Sequence, residues 1–221
     1  MLAALLTAAI IATPQPSQDL AVMNWITDLD LPGLAAYFTV VGWLTGVKAG
    51  VVYSVVGLSG LMIARMQRLA LAFVMVGAVV GALAFFGDYV LSEMVERSSP
   101  STGSMVSSYP SGHVFGGTLL FGFLAYLALE HRSRPRLSIA VALLSVLLVI
   151  SVGPSRIYGG DHWPSDVAAG YLIAGCGLML LFPLYRRYTA SGFGLGLPPP
   201  HHFSAAIRAI IKRAGLCKTA Q

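Results

Sequence analysis

Long apolar stretches separated by short polar loops fill this sequence from Leu34 to Leu184. Of its 221 residues, 56% are hydrophobic and only 10% are charged, whereas charged residues make up about a quarter of an ordinary soluble domain. A helix of about 20 apolar residues can cross the hydrocarbon core of a bilayer. The sequence therefore predicts an all-α fold, an integral membrane helical bundle of about six transmembrane helices.

The predicted spans are not all of one kind. Met1–Ala12 is too short to cross a bilayer at about 1.5 Å per residue, so we interpret it as an incomplete first span rather than a signal peptide, which would begin with basic residues. The run Leu34–Ala64 is too long for one upright helix, and we divide it into an interfacial segment and a span from about Gly46 to Ala64. Further spans are predicted at Leu69–Leu91, His113–Leu129, Leu137–Val152 and Ser165–Leu184.

The composition changes after residue 190. A linker rich in glycine and proline is followed by a segment in which Ile207, Ile210 and Ile211 would lie opposite basic residues on a helix. This pattern is typical of an amphipathic helix that lies in the membrane plane. We therefore predict a transmembrane domain over residues 1–190 and a linker with an amphipathic cytoplasmic tail over residues 191–221.

Lysine and arginine residues predict the orientation in the membrane, because short cytoplasmic loops are rich in them. The regions predicted to be cytoplasmic contain Arg65 and Arg68, then Arg132, Arg134 and Arg136, then Arg186, Arg187 and the later basic residues. The opposite, extracytoplasmic face holds most of the acidic residues. Since the formal charge of +5 is spread among apolar spans without an aromatic-rich basic face, we expect a membrane partner and no nucleic acid.

Two polar clusters are predicted to meet at the extracytoplasmic face. One is YPSGH, which ends at His113, and the other is SRIYGGDHWPSD, which runs from Ser155 to Asp166. One predicted helix leaves this face after His113, and the next helix returns to it at Val152. The two clusters should therefore lie close together, although they are far apart in the sequence.

The first cluster is suited to binding an anion. Ser111, Gly112 and His113 would open a helix, where free backbone amides and the positive end of the helix dipole attract a phosphate. Gly112 would let the backbone approach the ligand closely. Arg156, from the second cluster, adds a planar guanidinium that can hold phosphate oxygens in pairs.

The second cluster contains a histidine and a carboxylate four residues apart. On a helix, Asp166 could hold one imidazole nitrogen of His162 and leave the other nitrogen to attack phosphorus. His113 could then protonate the departing oxygen as a general acid. Two alternatives are ordinary interfacial histidines and a zinc site, but zinc would need further ligands, and we predict neither a metal nor a cofactor.

Together these residues resemble the type 2 phosphatidic acid phosphatases, which are relatives of the vanadium haloperoxidases. The second motif of that family, PSGH, matches Pro110 to His113. The third motif matches residues 155–166 without a gap. It consists of Ser-Arg, any five residues, His, any three residues and Asp. The resemblance covers about Leu34 to Arg187.

The resemblance implies a six-helix membrane core and a phosphatase reaction that needs no metal ion. It implies that His162 is the nucleophile and forms a phosphohistidine, that Asp166 orients it, and that His113 is the acid. It also implies that Arg156, Ser111 and the amide of Gly112 hold the phosphate.

The first motif departs from the family pattern. The family motif consists of a lysine, any six residues, an arginine and a proline. At the corresponding positions this sequence has Ser92 in place of the lysine, Ser99 in place of the arginine, and Pro100. Loss of two phosphate-binding cations, at about 1.5–3 kcal/mol each, could lower catalysis by roughly two to four decades. We predict that Arg97, in the same loop, binds phosphate in their place; a solvated surface charge is the alternative, and Lys48 is a weaker candidate.

The expected function is hydrolysis of a membrane lipid phosphate or pyrophosphate, with undecaprenyl pyrophosphate first, then phosphatidic acid and phosphatidylglycerol phosphate. The headgroup would reach the site while its apolar chains stay in the bilayer. Two alternatives are a phosphotransferase that passes the phosphate to a lipid acceptor and a non-catalytic homologue that binds or transports lipid. No sequence feature predicts the oligomeric state.

Overall fold

A computed structural model describes residues 2–12, 17–63, 97–101, 107–130 and 135–190, and residues 74, 77–78, 81–82, 89–90 and 92–95 between them. We label the longer helices in chain order as α1 (Leu2–Ala12), α2 (Ser17–Thr27), α3 (Leu34–Thr45), α4 (Val47–Ile63), α5 (Gly112–Glu130), α6 (Pro135–Tyr158) and α7 (Pro164–Ala190). A short helical turn, Ser92–Met94, lies between α4 and α5. The predicted all-α class is confirmed.

Three helices in the described ranges are long and apolar enough to cross a membrane: α5, α6 and residues Pro164–Arg187 of α7. The bent pair α3–α4 adds a fourth if it is counted as one span. Large apolar side chains point outwards along these helices, and on α6 Leu143, Leu144 and Ile150 are 66%, 58% and 64% exposed. Such a continuous apolar surface is suited to contact with lipid. The predicted integral membrane helical bundle is confirmed.

The long apolar run after Leu34 is divided at Gly46, as predicted. The backbone of Gly46 is extended, with φ −77° and ψ 163°, and its N–H donates to the carbonyl of Trp43 at 3.2 Å. The helix axis changes direction by 51° between α3 and α4. As a result, α3 packs against the end of α6, and α4 begins beside the start of α5.

The helix α6 continues beyond its predicted end at Val152 to Tyr158, although Pro154 lies within it. Proline removes one donor and pushes against the carbonyl four residues before it. In the turn just before the proline, the hydroxyl of Tyr171 donates to the carbonyl of Val149 at 2.7 Å and accepts the N–H of Gly153 at 3.0 Å. These two bonds tie α7 to α6 beside Pro154.

Glycines let α5 and α7 approach each other closely. A Cβ atom at Gly122 would lie 2.7 Å from Leu178 Cδ1, and a Cβ atom at Gly170 would lie 3.0 Å from the backbone oxygen of Ser111. Small residues at such contacts are typical of membrane bundles, where they allow close backbone packing. This contact holds the PSGH segment against the first turns of α7.

Several predictions lie wholly or mainly outside the described ranges. They are the span Leu69–Leu91, the linker and tail over residues 191–221, and the loop arginines Arg65, Arg68, Arg132 and Arg134. The count of six spans and the domain boundary at residue 190 therefore stay predictions.

Candidate active site

The two polar clusters meet at one end of the bundle. The first cluster precedes α5, and the second joins the end of α6 to the start of α7. The N–H of Ser111 donates to the carbonyl of Asp166 at 3.2 Å, and Nδ1 of His162 lies 2.8 Å from the carbonyl oxygen of Ser108. The predicted meeting of the clusters is therefore confirmed by direct contacts.

His162 lies in the bend before α7, with 16% of its side chain exposed. Because a carbonyl oxygen can only accept a hydrogen bond, the contact with Ser108 places the proton on Nδ1 and the lone pair of the ring on Nε2. The sequence predicted that Asp166 holds one imidazole nitrogen, and Nδ1 lies 4.0 Å from Asp166 Oδ2, at the long end of an ion pair. The hydrogen bond of Nδ1 goes to Ser108, because His162 precedes α7, which begins at Pro164.

Asp166 is fully buried and is linked to His162 through Ser108. Its Oδ2 accepts the hydroxyl of Ser108 at 2.8 Å and the backbone N–H of Trp163 at 2.9 Å, and its Oδ1 accepts Nη1 of Arg97 at 2.6 Å. The bond to Trp163 is the backward bond of a capping box at the start of α7. Ser108 contacts the carboxylate with its side chain and the imidazole with its backbone, so it connects the two groups.

Arg97 is buried in an ion-pair network behind His162. The residue is only 2% exposed, and its guanidinium is paired with Asp19 of α2 and Asp166 of α7. Nη1 also donates to Ser165 Oγ at 2.7 Å, and the guanidinium lies 5.2 Å above the ring of Trp163. Two carboxylates inside the protein take up its charge, which favours a structural role, and phosphate binding by Arg97 stays a prediction.

Arg156 lies in the last turn of α6, where it pairs with Asp161. It packs against α3 at Gly42, where a Cβ atom would lie 2.9 Å from Nη1. Within the described part of the chain, Nε of Arg156 and the hydroxyl of the fully buried Ser111 have no hydrogen-bond partner. Buried polar groups are rarely left unpaired, so these two atoms are donors that a bound anion could use.

His113 and Gly112 form the first turn of α5. His113 is half-buried and lies within electrostatic reach of both Arg156 and His162. A Cβ atom at Gly46 would lie 3.3 Å from Nε2 of His113, so the break between α3 and α4 adjoins this ring. Both histidines and Arg156 therefore share one end of the bundle.

The residues in register with the first motif bring no positive charge to this end. Ser99 Oγ donates to the carbonyl of Gly160 at 3.4 Å, and the N–H of Ser101 donates to the same oxygen at 3.1 Å. The segment thus packs on the turn that follows Arg156. The side chain of Ser92 lies outside the described atoms. Lys48 is exposed in the first turn of α4, and a contact between Lys48 and phosphate stays a prediction.

Two residues of this network, Asp19 and Ser108, have no role in the sequence-based prediction. Asp19 lies on α2, a helix without a counterpart among the predicted spans. A serine at the start and an acidic residue in the first turn are signals of a helix start that could have indicated α2. Its pairing with Arg97 joins residues 78 positions apart, and no local pattern indicates such a contact.

Comparison with known proteins identifies relatives of this chain. The family model of the PAP2 superfamily matches residues 69–190. Phosphatidylglycerophosphatase B of Bacillus subtilis (strain 168) is 33% identical over 100 residues, which are 42% of this chain and 47% of that protein. The match therefore spans about half the length of this relative.

Two solved structures share the fold. The first transmembrane PAP2 type phosphatidylglycerolphosphate phosphatase from Bacillus subtilis superimposes with a TM-score of 0.70 at 22% identity, covering 84% of this chain and 93% of that chain. Aquifex aeolicus LpxE superimposes with a TM-score of 0.50 at 21% identity, covering 76% of this chain and 97% of that chain. The family match covers more than half of the 221 residues and includes both polar clusters. The chain therefore belongs to the PAP2 superfamily.

Proposed function

We propose that this protein is a membrane lipid phosphate phosphatase that forms a phosphohistidine on His162. The observation that carries the proposal is the hydrogen bond from Nδ1 of His162 to Ser108, which leaves the lone pair on Nε2. His113 and Arg156 lie at the same end of the bundle, within electrostatic reach of each other. An attacking nitrogen, an acid and an anion-binding cation are thus available in one place.

The proposed reaction has two steps. Nε2 of His162 attacks phosphorus, the bond from phosphorus to the lipid oxygen breaks, and His113 gives its proton to that oxygen. His113 then accepts a proton from water, whose oxygen attacks phosphorus and breaks the bond to Nε2, so that inorganic phosphate leaves. Arg156, Ser111 and the amide of Gly112 hold the phosphate oxygens. The unpaired Nε of Arg156 and hydroxyl of Ser111 support this role.

The proposed chemistry uses no metal ion. Within the described residues, no group of three or more His, Cys, Asp or Glu side chains could hold one. Charge on the phosphate would be met by Arg156 and by the start of α5.

We propose a lipid with an exposed phosphate as the substrate. The relative named phosphatidylglycerophosphatase B supports phosphatidylglycerol phosphate as the first compound to test, followed by undecaprenyl pyrophosphate and phosphatidic acid. A site at the end of the transmembrane helices supports all three, because it can receive a headgroup while the apolar chains remain in lipid.

We further propose that this end is extracytoplasmic and that the chain ends in the cytoplasm, since Arg136, Arg186 and Arg187 lie at the opposite ends of α6 and α7.

Phosphate release from these lipids in detergent micelles tests the proposal. We expect His162→Ala to lower the rate by roughly a thousandfold or more, because a covalent step has lost its nucleophile. The matched control is His202→Ala, the same substitution in the tail, and it should keep the wild-type rate. Labelled phosphate should remain on the wild-type protein, but not on His162→Ala, after alkaline quenching. Equal release by wild type and His162→Ala would overturn the proposal.

A further inference from the structure

A buried chain of charged groups extends from α2 to the proposed nucleophile. Asp19, which is 5% exposed, pairs with Nη2 of Arg97, and Nη1 of Arg97 pairs with Asp166. Ser108 then connects Asp166 to His162, with its hydroxyl on the carboxylate and its carbonyl on the imidazole. Two formal negative charges and one positive charge therefore lie behind the imidazole.

Arg97 alone would largely cancel the charge of Asp166. A guanidinium and a carboxylate whose atoms are 2.6 Å apart form a pair without net charge, and such a pair attracts a positive imidazole only weakly. Asp19 pairs with the other arm of the same guanidinium, so the three groups together keep one formal negative charge. Because these groups are buried, that charge acts on its neighbours more strongly than it would at the surface.

Asp19 also holds the first turn of α7. Its Oδ1 accepts the backbone N–H of Ser165 at 3.0 Å, and its Oδ2 accepts the hydroxyl of Ser165 at 2.5 Å. The N–H groups in the first turn of a helix have no partner within the helix, so an outside acceptor stabilises that turn. Since α7 begins two residues after His162, this contact also fixes the bend that carries the imidazole.

We propose that Asp19 is a positioning residue of the active site. It offsets Arg97, so that Asp166 keeps an effective negative charge towards His162 when Nε2 bonds to phosphorus and the ring becomes positive. This inference rests on the proposed phosphatase function. It gives α2 a part in catalysis and gives Arg97 a structural part in place of phosphate binding.

The first test compares Asp19→Asn with Asp28→Asn. Asparagine keeps the size of Asp19 but removes its charge, so we expect kcat to fall by roughly ten- to hundredfold. KM should change little, because Asp19 does not touch the substrate. Asp28 is exposed just after the end of α2, and Asp28→Asn should keep the wild-type kcat and KM.

A pH profile separates this role from a purely structural one. The titratable and charged groups around His162 in the described ranges are His113, Arg156, Asp161 and Asp166, with Arg97, Asp19 and Tyr109 behind them. With one negative neighbour fewer, protonated His162 should release its proton more readily. The acid limb of kcat/KM should therefore move to lower pH in Asp19→Asn. Partial unfolding would lower the rate at every pH without moving the limb.

A variant that keeps the negative charge distinguishes loss of charge from a folding defect. Asp19→Glu should keep the acid limb of the wild type even where its rate is reduced, and thermal unfolding in detergent gives the folded fraction of each variant. A wild-type kcat and pH profile in Asp19→Asn, or equal shifts of the limb in the Asn and Glu variants, would overturn the role of Asp19. If His162→Ala is inactive in the same assay, the phosphatase proposal survives that result; an active His162→Ala would overturn the proposed function itself.

Discussion

Gly42 determines where the guanidinium of Arg156 can lie. The α3 backbone is so close that a Cβ atom at Gly42 would come within 2.9 Å of Nη1, which is shorter than ordinary van der Waals contact. The other side of the guanidinium is held by Asp161. Arg156 is thus confined between a helix backbone and a carboxylate, which limits the conformational freedom of a long side chain before any phosphate binds.

Gly42→Ala should therefore weaken substrate binding without unfolding the protein. The added methyl group would push Nη1 away from its position, and we expect KM for a lipid phosphate to rise by roughly tenfold, about the value of one charge-assisted hydrogen bond. Steady-state kinetics in micelles measures this change. Gly50→Ala, on α4, is the matched control because its Cβ atom would meet nothing within 4 Å; equal KM values in the two variants would contradict the prediction.

At the scale of single residues, the sequence indicates which groups meet better than it indicates how they bond. The spacing of the motifs brings His113, Arg156 and His162 to one end of the bundle. The hydrogen bond to Ser108, beside the longer contact with Asp166, was not predictable from the four-residue spacing, because His162 lies before the helix begins. The ion pairs of Arg97 were not predictable, because its partner Asp19 lies on a helix that no apolar pattern marks.

At the scale of the helix, Tyr171 of α7 holds the turn of α6 that precedes Pro154. Its hydroxyl contacts both the N–H of Gly153 and the carbonyl of Val149. Ser155 and Arg156 follow immediately, so the shape of this turn determines the direction in which α6 presents Arg156.

A double-mutant cycle tests whether this contact depends on the proline. Tyr171→Phe should destabilise the protein by about 1–3 kcal/mol, because two backbone groups lose a hydrogen-bond partner. In a Pro154→Ala background residue 154 regains its N–H and the ring no longer presses on the helix, so α6 is held more firmly by its own backbone bonds and the same substitution should cost less. Unfolding of the four proteins in mixed micelles measures the coupling. Equal costs in the two backgrounds would show that the tyrosine and the proline act independently.

Helix boundaries were predictable where length alone determines them. The run after Leu34 is too long for one upright helix, and its division near Gly46 follows from that length. The end of α6 at Tyr158 was not predictable, because the contacts that hold the helix around Pro154, such as that of the Tyr171 hydroxyl, come from α7. The start of α7 at Pro164 agrees with the preference of proline for the first helical turn.

For the whole molecule, the distribution of charge is uneven along the bundle axis. Arg136 lies at the start of α6, and Arg186 and Arg187 lie near the end of α7, all at the end remote from the histidines. Asp28 follows α2, whose Ile26 packs in the same apolar cluster as Val114 near the site. Because cytoplasmic ends are rich in arginine and lysine, we propose that the arginine-rich end faces the cytoplasm and that the site lies on the extracytoplasmic face.

Labelling of single cysteines in intact bacterial cells tests that orientation. With Cys176 and Cys217 replaced by serine, Asp28→Cys should react with a membrane-impermeant maleimide. Arg187→Cys should react only after the cells are permeabilised. Both positions are exposed, so a lack of reaction reports the side of the membrane rather than burial. The reverse pattern would place the site in the cytoplasm.

The position of Asp19 on α2 has a practical consequence for producing this protein. A shortened form that begins at Leu34 would keep every motif residue and the whole of residues 69–190, which match the family model. It would nevertheless lose the carboxylate opposite Arg97 and the acceptor for Ser165. Expression work that trims the chain therefore needs to retain α2, and a purified fragment without it would be a poor reference for the activity of the whole protein.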